Sequence, residues 1–559
     1  MTVAAAVSGA ARRRALTGAA FVIPVAFLGV FFAVPVATLV TTGLRGGGRW
    51  ELGTVGEVLS SSTTRSVAWF TLWQAVLSTV ATVTAALPAA WLIGRVRFPG
   101  RALFTAALIV PFVLPTVVVG TAFLAVLGPD GPVDAVAGVL GGDLDLRRTA
   151  TAVVLAHVFF NYAVVARTVG AAWMGVDPAS EDAARTLGAG PWTAFRTVTL
   201  PQLRPALAGA ASIVFLFTFT SFGVVKILGG PRIATIEVEI HRLTTQLLDL
   251  RTASVLSLLQ LAAVIAALAL YRRAGVRRGS ARARAGRSVL RRPAGRERWL
   301  VATTVAGALL LVGVPIATLV WRSFDTADGP GLAYYRALRS TRHGSALFVP
   351  PAEAIRNSLV FGAAAAVAAL LVGGLASVGL HRLRGRWRGV ADSSLMLPLG
   401  VSAVTVGFGF LIALDEPPLD LRTSPILIPA AQAVIAVPFV VRTLLPALDA
   451  VPTRVREAAT SLGASPLRAW WEVDAPLLRR PALVAFGFAY AISLGEFGAT
   501  VFIARADAPT VPVAIFRALS RPGALNVGQA MALSTVLLAL TAAVMSVVDR
   551  LGDAKVGGF

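Results

Sequence analysis

Two stretches of the same design interrupt this otherwise apolar chain: "EDAARTLGAGPWTAFRTVTLP" at residues 181–201 and "REAATSLGASPLRAWWEVDAP" at residues 456–476. Gly188 of the first stretch and Gly463 of the second are 275 residues apart, and the same offset brings the prolines that end both stretches into register. It also holds in the apolar segments on either side. The sequence therefore indicates two copies of one fold, each with a polar loop between apolar segments.

The composition is that of a membrane protein. The chain has 559 residues, of which 56% are hydrophobic and only 14% are charged, and its mean hydropathy is +0.75. A soluble protein of this length would carry a larger charged surface. The net charge of +23 comes from arginines clustered between apolar runs. Such clusters are typical of cytoplasmic loops, which argues against a nucleic-acid-binding surface.

Several kinds of chemistry are excluded or disfavoured by the residue content. The absence of cysteine excludes disulfides, thiolate metal centres and cysteine nucleophiles. The four histidines form no HxxxH or HExxH spacing, so a metal site is not expected. Neither lysine, Lys226 or Lys555, completes a GxxxxGK[ST] phosphate loop. We therefore expect no catalytic residue, no bound metal and no cofactor in this chain.

Apolar runs long enough to cross a bilayer occur about six times in each half of the chain. They cover approximately residues 18–40, 67–93, 102–127, 149–173, 206–228 and 253–271, and then 299–321, 357–380, 391–414, 424–446, 481–504 and 527–548. This pattern predicts an all-α polytopic membrane protein of about twelve transmembrane helices, built as two parallel six-helix repeats. The predicted domains are a first half at 1–271, a basic linker at 272–298 and a second half at 299–559.

The arginine clusters also predict the orientation in the membrane. Clusters near residues 11–14, 95–101, 271–298 and 381–389 fall on one side of the predicted spans, and acidic loops fall on the other. Positive charge is retained on the cytoplasmic side. The prediction is a protein of a bacterial-type cytoplasmic membrane, with both termini, the linker and both polar loops inside.

Each polar loop reads as two short helices joined by a tight turn. In the first copy Asp177 is the expected N-cap and Pro178 the first helical residue. Gly188 suits the left-handed position that ends a helix. A second helix is expected to begin at Pro191 and to end at Pro201, with the same arrangement in the second copy.

These loops resemble the "EAA" cytoplasmic loop of permeases of ATP-binding-cassette (ABC) importers. In that family E-A-A is followed after three residues by Gly and about nine residues later by a Leu-Pro-like end. The matching residues are Asp182, Ala183, Ala184, Gly188 and Pro201 in the first copy, and Glu457, Ala458, Ala459, Gly463 and Pro476 in the second. The copies depart from the pattern at Asp182, which shortens the acidic side chain, and at Ala475, which replaces Leu.

The resemblance implies that each loop is a coupling helix that docks in a cleft of a separate ATPase subunit. It implies two copies of that cytoplasmic subunit, which would bind ATP and Mg, and an extracytoplasmic solute-binding protein. The plainer alternative is that duplicated halves keep similar loops through shared origin alone. Docking is favoured because surface loops usually drift, whereas about half of positions 182–204 still match their counterparts.

Nearly the whole sequence resembles the fused permeases of the ferric iron and thiamine importer group. The stretch "TSFGVVKILGGPRIATIEVEIHRL" at 220–243 is more similar to the thiamine branch, whereas "SLGEFGATVFIA" at 493–504 also resembles molybdate and sulfate permeases. The expected function is inward movement of a small solute, thiamine-like or ferric iron, by alternating access. An oxyanion importer is the alternative within the family.

Four polar residues within the predicted spans are candidates for the translocation pathway: Ser221, Glu496, Asn161 and Gln432. Glu496 is the clearest, because an ionised carboxylate in a span is costly and usually serves a pathway or a partner. One acidic group favours a cationic solute over an anion. Two alternatives stay open, namely a structural contact with an Arg or a helix N-terminus, and a proton-coupled secondary transporter that uses Glu496.

Overall fold

We analysed a computed structural model of the chain that describes residues 21–129, 131–142, 145–230, 233–273, 290–341, 347–415 and 420–552. These residues are predominantly helical. In chain order the helices are α1 (Phe21–Leu44), α2 (Gly53–Ser60), α3 (Ser62–Arg95), α4 (Arg101–Ala107), α5 (Val110–Val113), α6 (Thr116–Leu127), α7 (Pro132–Val139), α8 (Ala150–Met174), α9 (Pro178–Thr186), α10 (Pro191–Phe219), α11 (Gly223–Leu228), α12 (Ile236–Arg242), α13 (Leu250–Arg273), α14 (Glu297–Phe324), α15 (Ala333–Ala337), α16 (Pro351–Arg382), α17 (Gly385–Leu395), α18 (Leu397–Gly400), α19 (Ala403–Ala413), α20 (Leu427–Asp449), α21 (Thr453–Ser461), α22 (Leu467–Gly495), α23 (Thr500–Ile503), α24 (Val511–Leu519) and α25 (Ala524–Gly552).

The predicted class, an all-α polytopic membrane protein, is confirmed. Within the described residues, eleven helices are long and apolar enough to cross a membrane, and two further apolar helical segments are shorter. The third and ninth predicted spans, at 102–127 and 391–414, were wrong as single helices. Both are broken into shorter helices, in the first case at Pro115, where a proline cannot donate a backbone hydrogen bond and disfavours helix in the preceding residue.

The helices pack as two compact units. Unit I comprises residues 55–242 and 256–334, and unit II comprises the described parts of 1–54, 243–255 and 335–559. The two units do not coincide with the two halves of the sequence repeat. The first helix of each half, α1 or α14, lies in the unit that is built mainly from the other half. The predicted domain boundaries at residues 271 and 299 follow the duplication in the sequence. The division into domains at these residues stays a prediction.

The exchanged first helices make close contacts in their units. In unit II the rings of Phe31 in α1 and Phe410 in α19 lie 5.9 Å apart, and a Cβ on Gly409 would come within 2.9 Å of Pro35. In unit I, Val301 and Ala308 of α14 belong to the core that α3 and α8 form. Both first helices are therefore parts of a core.

Small residues allow the central helices of each unit to approach closely. In unit I, a Cβ on Gly94 of α3 would lie 2.6 Å from Cβ of Trp173 in α8. In unit II, a Cβ on Gly373 of α16 would lie 2.8 Å from Val440 in α20. Close backbone approach through small residues is a usual source of helix association in lipid.

Of the predicted basic linker, residues 272–273, which end α13, and 290–298 fall within the described residues. There Arg291 pairs with the chain beyond α3, since its N–H donates to the carbonyl of Arg95 at 3.1 Å and its carbonyl accepts from Arg97 at 2.9 Å. The Arg291 side chain forms a salt bridge with Glu297, the first residue of α14. The rest of the linker, 274–289, lies outside the described residues.

Candidate functional site

The first polar loop, residues 177–201, has the cap and the turn that its sequence predicts. The Asp177 carboxylate accepts a hydrogen bond from the backbone of Ala179 at 3.0 Å and caps α9. Gly188 has a φ of +89°. The N–H of Ala189 donates to the carbonyl of Ala184 at 3.1 Å, and Gly188 donates to Arg185 at 2.9 Å. This double closure is a Schellman motif, which needs a residue with positive φ at its turn.

The second polar loop, residues 452–476, repeats that closure. Gly463 has a φ of +82°, and its N–H donates to Thr460 at 3.0 Å. Ala464 donates to the carbonyl of Ala459, also at 3.0 Å. A Cβ on Gly463 or Gly188 would meet nothing within 4 Å, so both glycines are required by backbone conformation and not by space. Ala184 and Ala459 of the two motifs thus supply equivalent turn carbonyls.

The expected end of the second loop helix at Pro201 or Pro476 was wrong. α10 and α22 continue through these prolines into the membrane segments, and each has a five-residue π-helical turn, Phe195–Thr199 or Trp470–Asp474, just before the proline. A proline crowds the carbonyl four residues earlier in a regular α-helix, and the wider π turn relieves this contact. Each loop is therefore continuous with a long apolar helix.

Both loops expose a leucine at the turn. Leu187 is 90% exposed, and its counterpart Leu462 is 88% exposed. Asp182 and Glu457, the acidic residues of the motifs, are also exposed. Sequence reasoning did not single out the leucines, although an apolar residue kept at the same offset in two polar segments was an available signal. Each loop thus exposes an apolar residue at its turn and an acidic residue five positions earlier in the chain.

The first loop is held by contacts of Glu181. Its Oε2 accepts from the hydroxyl of Thr199 at 3.4 Å and lies 3.7 Å from a guanidinium nitrogen of Arg95, at the end of α3. Its Oε1 lies 3.5 Å from Arg185 in the same helix. These contacts connect α9 to α10 and to α3.

The second loop is held by charges of opposite sign. Arg456 occupies the position of Glu181 and pairs at 2.7 Å with Asp474, which occupies the position of Thr199. Arg456 also contacts Nε2 of His381, near the end of α16, at 3.0 Å. The two loops therefore share a backbone and a pattern of attachment, but the attaching side chains differ. Sequence reasoning missed these contacts.

Two pathway candidates come together in unit I. The hydroxyl of Ser221 lies 2.8 Å from Nε2 of His157, whose Nδ1 lies 3.1 Å from the hydroxyl of Ser78. The Asn161 amide donates to the carbonyl of His157 at 3.0 Å. All four residues are buried, so Ser221 and Asn161 belong to one polar cluster between helices.

The other two candidates lie in unit II. Glu496 is not within a helix as predicted, but in the break between α22 and α23. Its two carboxylate oxygens accept from the N–H groups of Ala499 at 2.7 Å and Thr500 at 3.0 Å, so it caps the short helix α23. Gln432 is buried within α20. The assignment of these four residues to a pathway stays a prediction.

Unit I also holds buried acidic residues that sequence reasoning did not select. Glu237 accepts from the amide of Gln260 at 2.6 Å, and Glu239 forms a two-bond pair with Arg242. At the same offset the second half carries Pro512 and Ala514. The interior of the first half is therefore more polar at these positions. Among the described residues, no group of three or more His, Asp or Glu could hold a metal ion.

Similarity to known proteins identifies the family of this chain. Residues 83–274 match the family described as "Binding-protein-dependent transport system inner membrane component". The thiamine transport system permease protein ThiP of Brucella abortus is 30% identical over 88% of this chain and 89% of its own length. ThiP of Escherichia coli is 26% identical, with 87% and 88% covered. A probable ABC transporter permease protein of Sinorhizobium fredii is 25% identical, with 93% and 94% covered.

These similarities, together with the eleven apolar helices among the described residues, define a multi-pass inner-membrane protein. The chain belongs to the family of fused, two-half permease subunits of binding-protein-dependent ABC importers.

Proposed function

We propose that this permease imports thiamine or a related cationic heterocycle, and that its two loops dock two copies of a cytoplasmic ATPase subunit. The observation that carries the docking proposal is the repeated backbone of the loops. Two Schellman turns with φ of +89° and +82° hold exposed tips of the same shape. A dimeric ATPase offers two equivalent clefts, and one chain with two equivalent tips fills both.

The continuity of α10 and α22 explains how docking would drive transport. Each loop runs without a break into an apolar helix, so a displacement of the tip is passed on to the membrane segment. ATP binding would close the ATPase subunits, draw the loops together and switch the permease by alternating access. ATP and Mg would be bound by the partner. This arrangement requires both loops and both termini to lie on the cytoplasmic side.

The proposed solute is supported by the relatives and by buried acidic groups. Relatives that match most of this chain include permeases of thiamine transport systems. Glu237 and Glu496 are buried carboxylates, whereas Arg242 offsets the charge of Glu239. Negative charge in a low-dielectric environment favours a cation over an oxyanion. Ser221, Asn161, Gln432 and Glu496 are the residues we propose for the pathway. Ferric iron is the second cationic solute to test.

The test is uptake by proteoliposomes that contain the permease with its own ATPase and solute-binding protein. With ATP supplied to the ATPase side, we expect thiamine to accumulate and ferric iron and molybdate to be transported poorly. Dissipating the proton gradient should leave uptake unchanged while ATP remains. Preferred transport of molybdate would contradict the solute proposal, and uptake that ceases with the proton gradient would contradict ATP-driven import.

A further inference from the structure

A chain of polar contacts joins the second loop to the ends of the neighbouring helices. Arg456 in α21 donates to Asp474 in α22 at 2.7 Å and to Nε2 of His381 in α16 at 3.0 Å. Nδ1 of His381 lies 2.8 Å from one carboxylate oxygen of Asp449 in α20. The other oxygen accepts from Arg388 in α17 at 2.6 Å. Five helices thus meet through one imidazole ring and its neighbours.

The contacts define the protonation state of His381. A guanidinium group has only donors, so Nε2 of His381 must accept the hydrogen bond from Arg456 and carries no proton. Nδ1 therefore carries the proton and donates it to the carboxylate of Asp449. The connection between α21 and α16 requires a neutral imidazole with this tautomer.

A second proton would break one link of this chain. Protonation of Nε2 places an N–H donor opposite the donors of Arg456 and sets a cation against a cation. The contact of His381 with Asp449 would persist, because it becomes a pair of opposite charges. The contact of Arg456 with Asp474 would persist, because it remains one. Acidification therefore separates α21 from α16 and leaves the other contacts in this series in place.

His381 is accessible to protons. It is 29% exposed, and the charges near it are Arg456 from α21, Asp449 from α20 and, through Asp449, Arg388 from α17. A cleft of about 750 Å³ between α17 and α20 is lined by Arg388 and Asp449, and also by the 3.6 Å pair of Asp392 with Arg442. Solvent thus reaches the carboxylate that His381 contacts.

The first loop lacks this arrangement. Glu181 makes its contacts with Thr199, Arg95 and Arg185, none of which is an imidazole. Met174 stands where the second half has Asp449. Hydroxyl and guanidinium groups do not change charge in the range, about pH 5 to 8, in which histidine usually does.

We propose that Arg456 and neutral His381 are positioning residues that hold the second loop against α16, and that protonation of His381 loosens this loop alone. The consequence for transport rests on the docking function proposed above. An acidified cytoplasm would weaken coupling at one of the two ATPase contacts. The importer would then slow through one loop, while the other keeps the ATPase attached.

The first test needs the permease alone. Amide hydrogen exchange is measured in lipid nanodiscs at pH 8 and pH 6, and protection factors are used to correct for the intrinsic effect of pH on exchange. In α21 we expect protection to fall about fivefold to tenfold at pH 6, because one charge-assisted hydrogen bond is lost. In α9 we expect protection to stay constant. His381→Gln, whose amide donates and accepts without titrating, should abolish the change in α21, with His381→Asn as a second non-titrating variant.

The matched control is Arg95→Gln, which alters the attachment of the first loop without introducing or removing an imidazole. Equal loss of protection in α21 and α9, or an unchanged pH response in His381→Gln and His381→Asn, would overturn the proposal. Because no ATPase is present, this result does not depend on whether the docking function is correct.

The second test uses the complete complex and thiamine with its binding protein. The number of thiamine molecules transported per ATP hydrolysed should fall between pH 8 and pH 6 on the ATPase side in the wild type and stay level in His381→Gln. His381→Lys, with a permanent positive charge, should resemble the acidified wild type at pH 8. A wild-type profile retained in His381→Gln overturns the positioning role. Failure of the ATPase to bind the wild-type permease would refute docking and leave the exchange result unaffected.

Discussion

The two loops show which features of a duplicated element are kept and which are free to change. Both have a Schellman turn at glycine, an exposed leucine at the turn and a π turn before a proline. Glu181 attaches the first loop through weak, longer contacts, and Arg456 attaches the second through short ionic ones. The shape of the tip is therefore duplicated, whereas the side chains that hold it have diverged. Such a pattern fits the proposal that the loops of two different halves dock in two equivalent clefts of an ATPase dimer.

The largest expected effect comes from the feature that the loops share. Gly188→Val and Gly463→Val each place a β-branched side chain at positive φ, at a local cost of about 1–2 kcal/mol. We expect each single variant to reduce thiamine uptake severalfold and the double variant to abolish it, while insertion in the membrane is normal. Uptake by reconstituted complexes and the yield of folded permease measure the two effects.

Gly190→Val provides the matched control for this comparison. Gly190 is also open to solvent, with nothing within 4 Å of an added Cβ, but its φ of −65° is accessible to valine. It should transport nearly as well as the wild type. Normal uptake by the double variant with the ATPase still attached would show that the shared turn is not part of the coupling.

An effect smaller than that of the double glycine variant is expected in the interior, where the halves differ at Glu496 and Ser221. If Glu496 lines the pathway, Glu496→Gln should lower uptake of a cation about tenfold, since the neutral amide keeps one acceptor for the cap but loses the charge. ATPase stimulation by the loaded binding protein should be preserved. Uptake within about twofold of the wild type would leave Glu496 with a capping role, whose removal in Glu496→Ala costs about 1 kcal/mol.

The divergent attachments are expected to have the smallest effects on uptake, because altering them leaves the backbone of both turns unchanged. Asp474→Asn removes the charge that pairs with Arg456 and should destabilise the packing of the second loop by about 2 kcal/mol. Thr199→Val removes the matching 3.4 Å contact in the first loop and should cost about 0.5 kcal/mol. Hydrogen-exchange protection of α21 and α9 measures both. Equal effects would mean that the two attachments do not differ in strength.

Local signals in the sequence predicted much of the loops. The cap at Asp177 and the left-handed glycines follow from rules that involve neighbouring residues, and both are confirmed. The expected helix end at Pro201 was wrong because a π turn accommodates the proline, and nothing local indicates that turn. The partners Arg95 and His381 lie far along the chain from the loops they contact. Their role depends on the packing of long helices against one another, which the hydrophobic periodicity of the sequence does not specify.

The same limit applies to the membrane segments. Apolar length predicted the helical class and most of the spans, because hydrophobic thickness fixes the length of a helix. Hydropathy did not predict that α1 and α14 would each enter the unit of the other half. It also placed Glu496 inside a span, whereas the carboxylate lies at a helix break and satisfies backbone N–H groups there. Tertiary contacts decide both features.

The central claim is that the two loops are equivalent docking sites, and the mass of the purified complex tests it most directly. Native mass spectrometry of the permease isolated with its ATPase should give one permease with two ATPase subunits, and the permease alone should not hydrolyse ATP. Gly188→Val combined with Gly463→Val should reduce the two-subunit species, whereas Gly190→Val should not. A complex with one ATPase subunit, or an unchanged two-subunit complex in the double glycine variant, would contradict the claim.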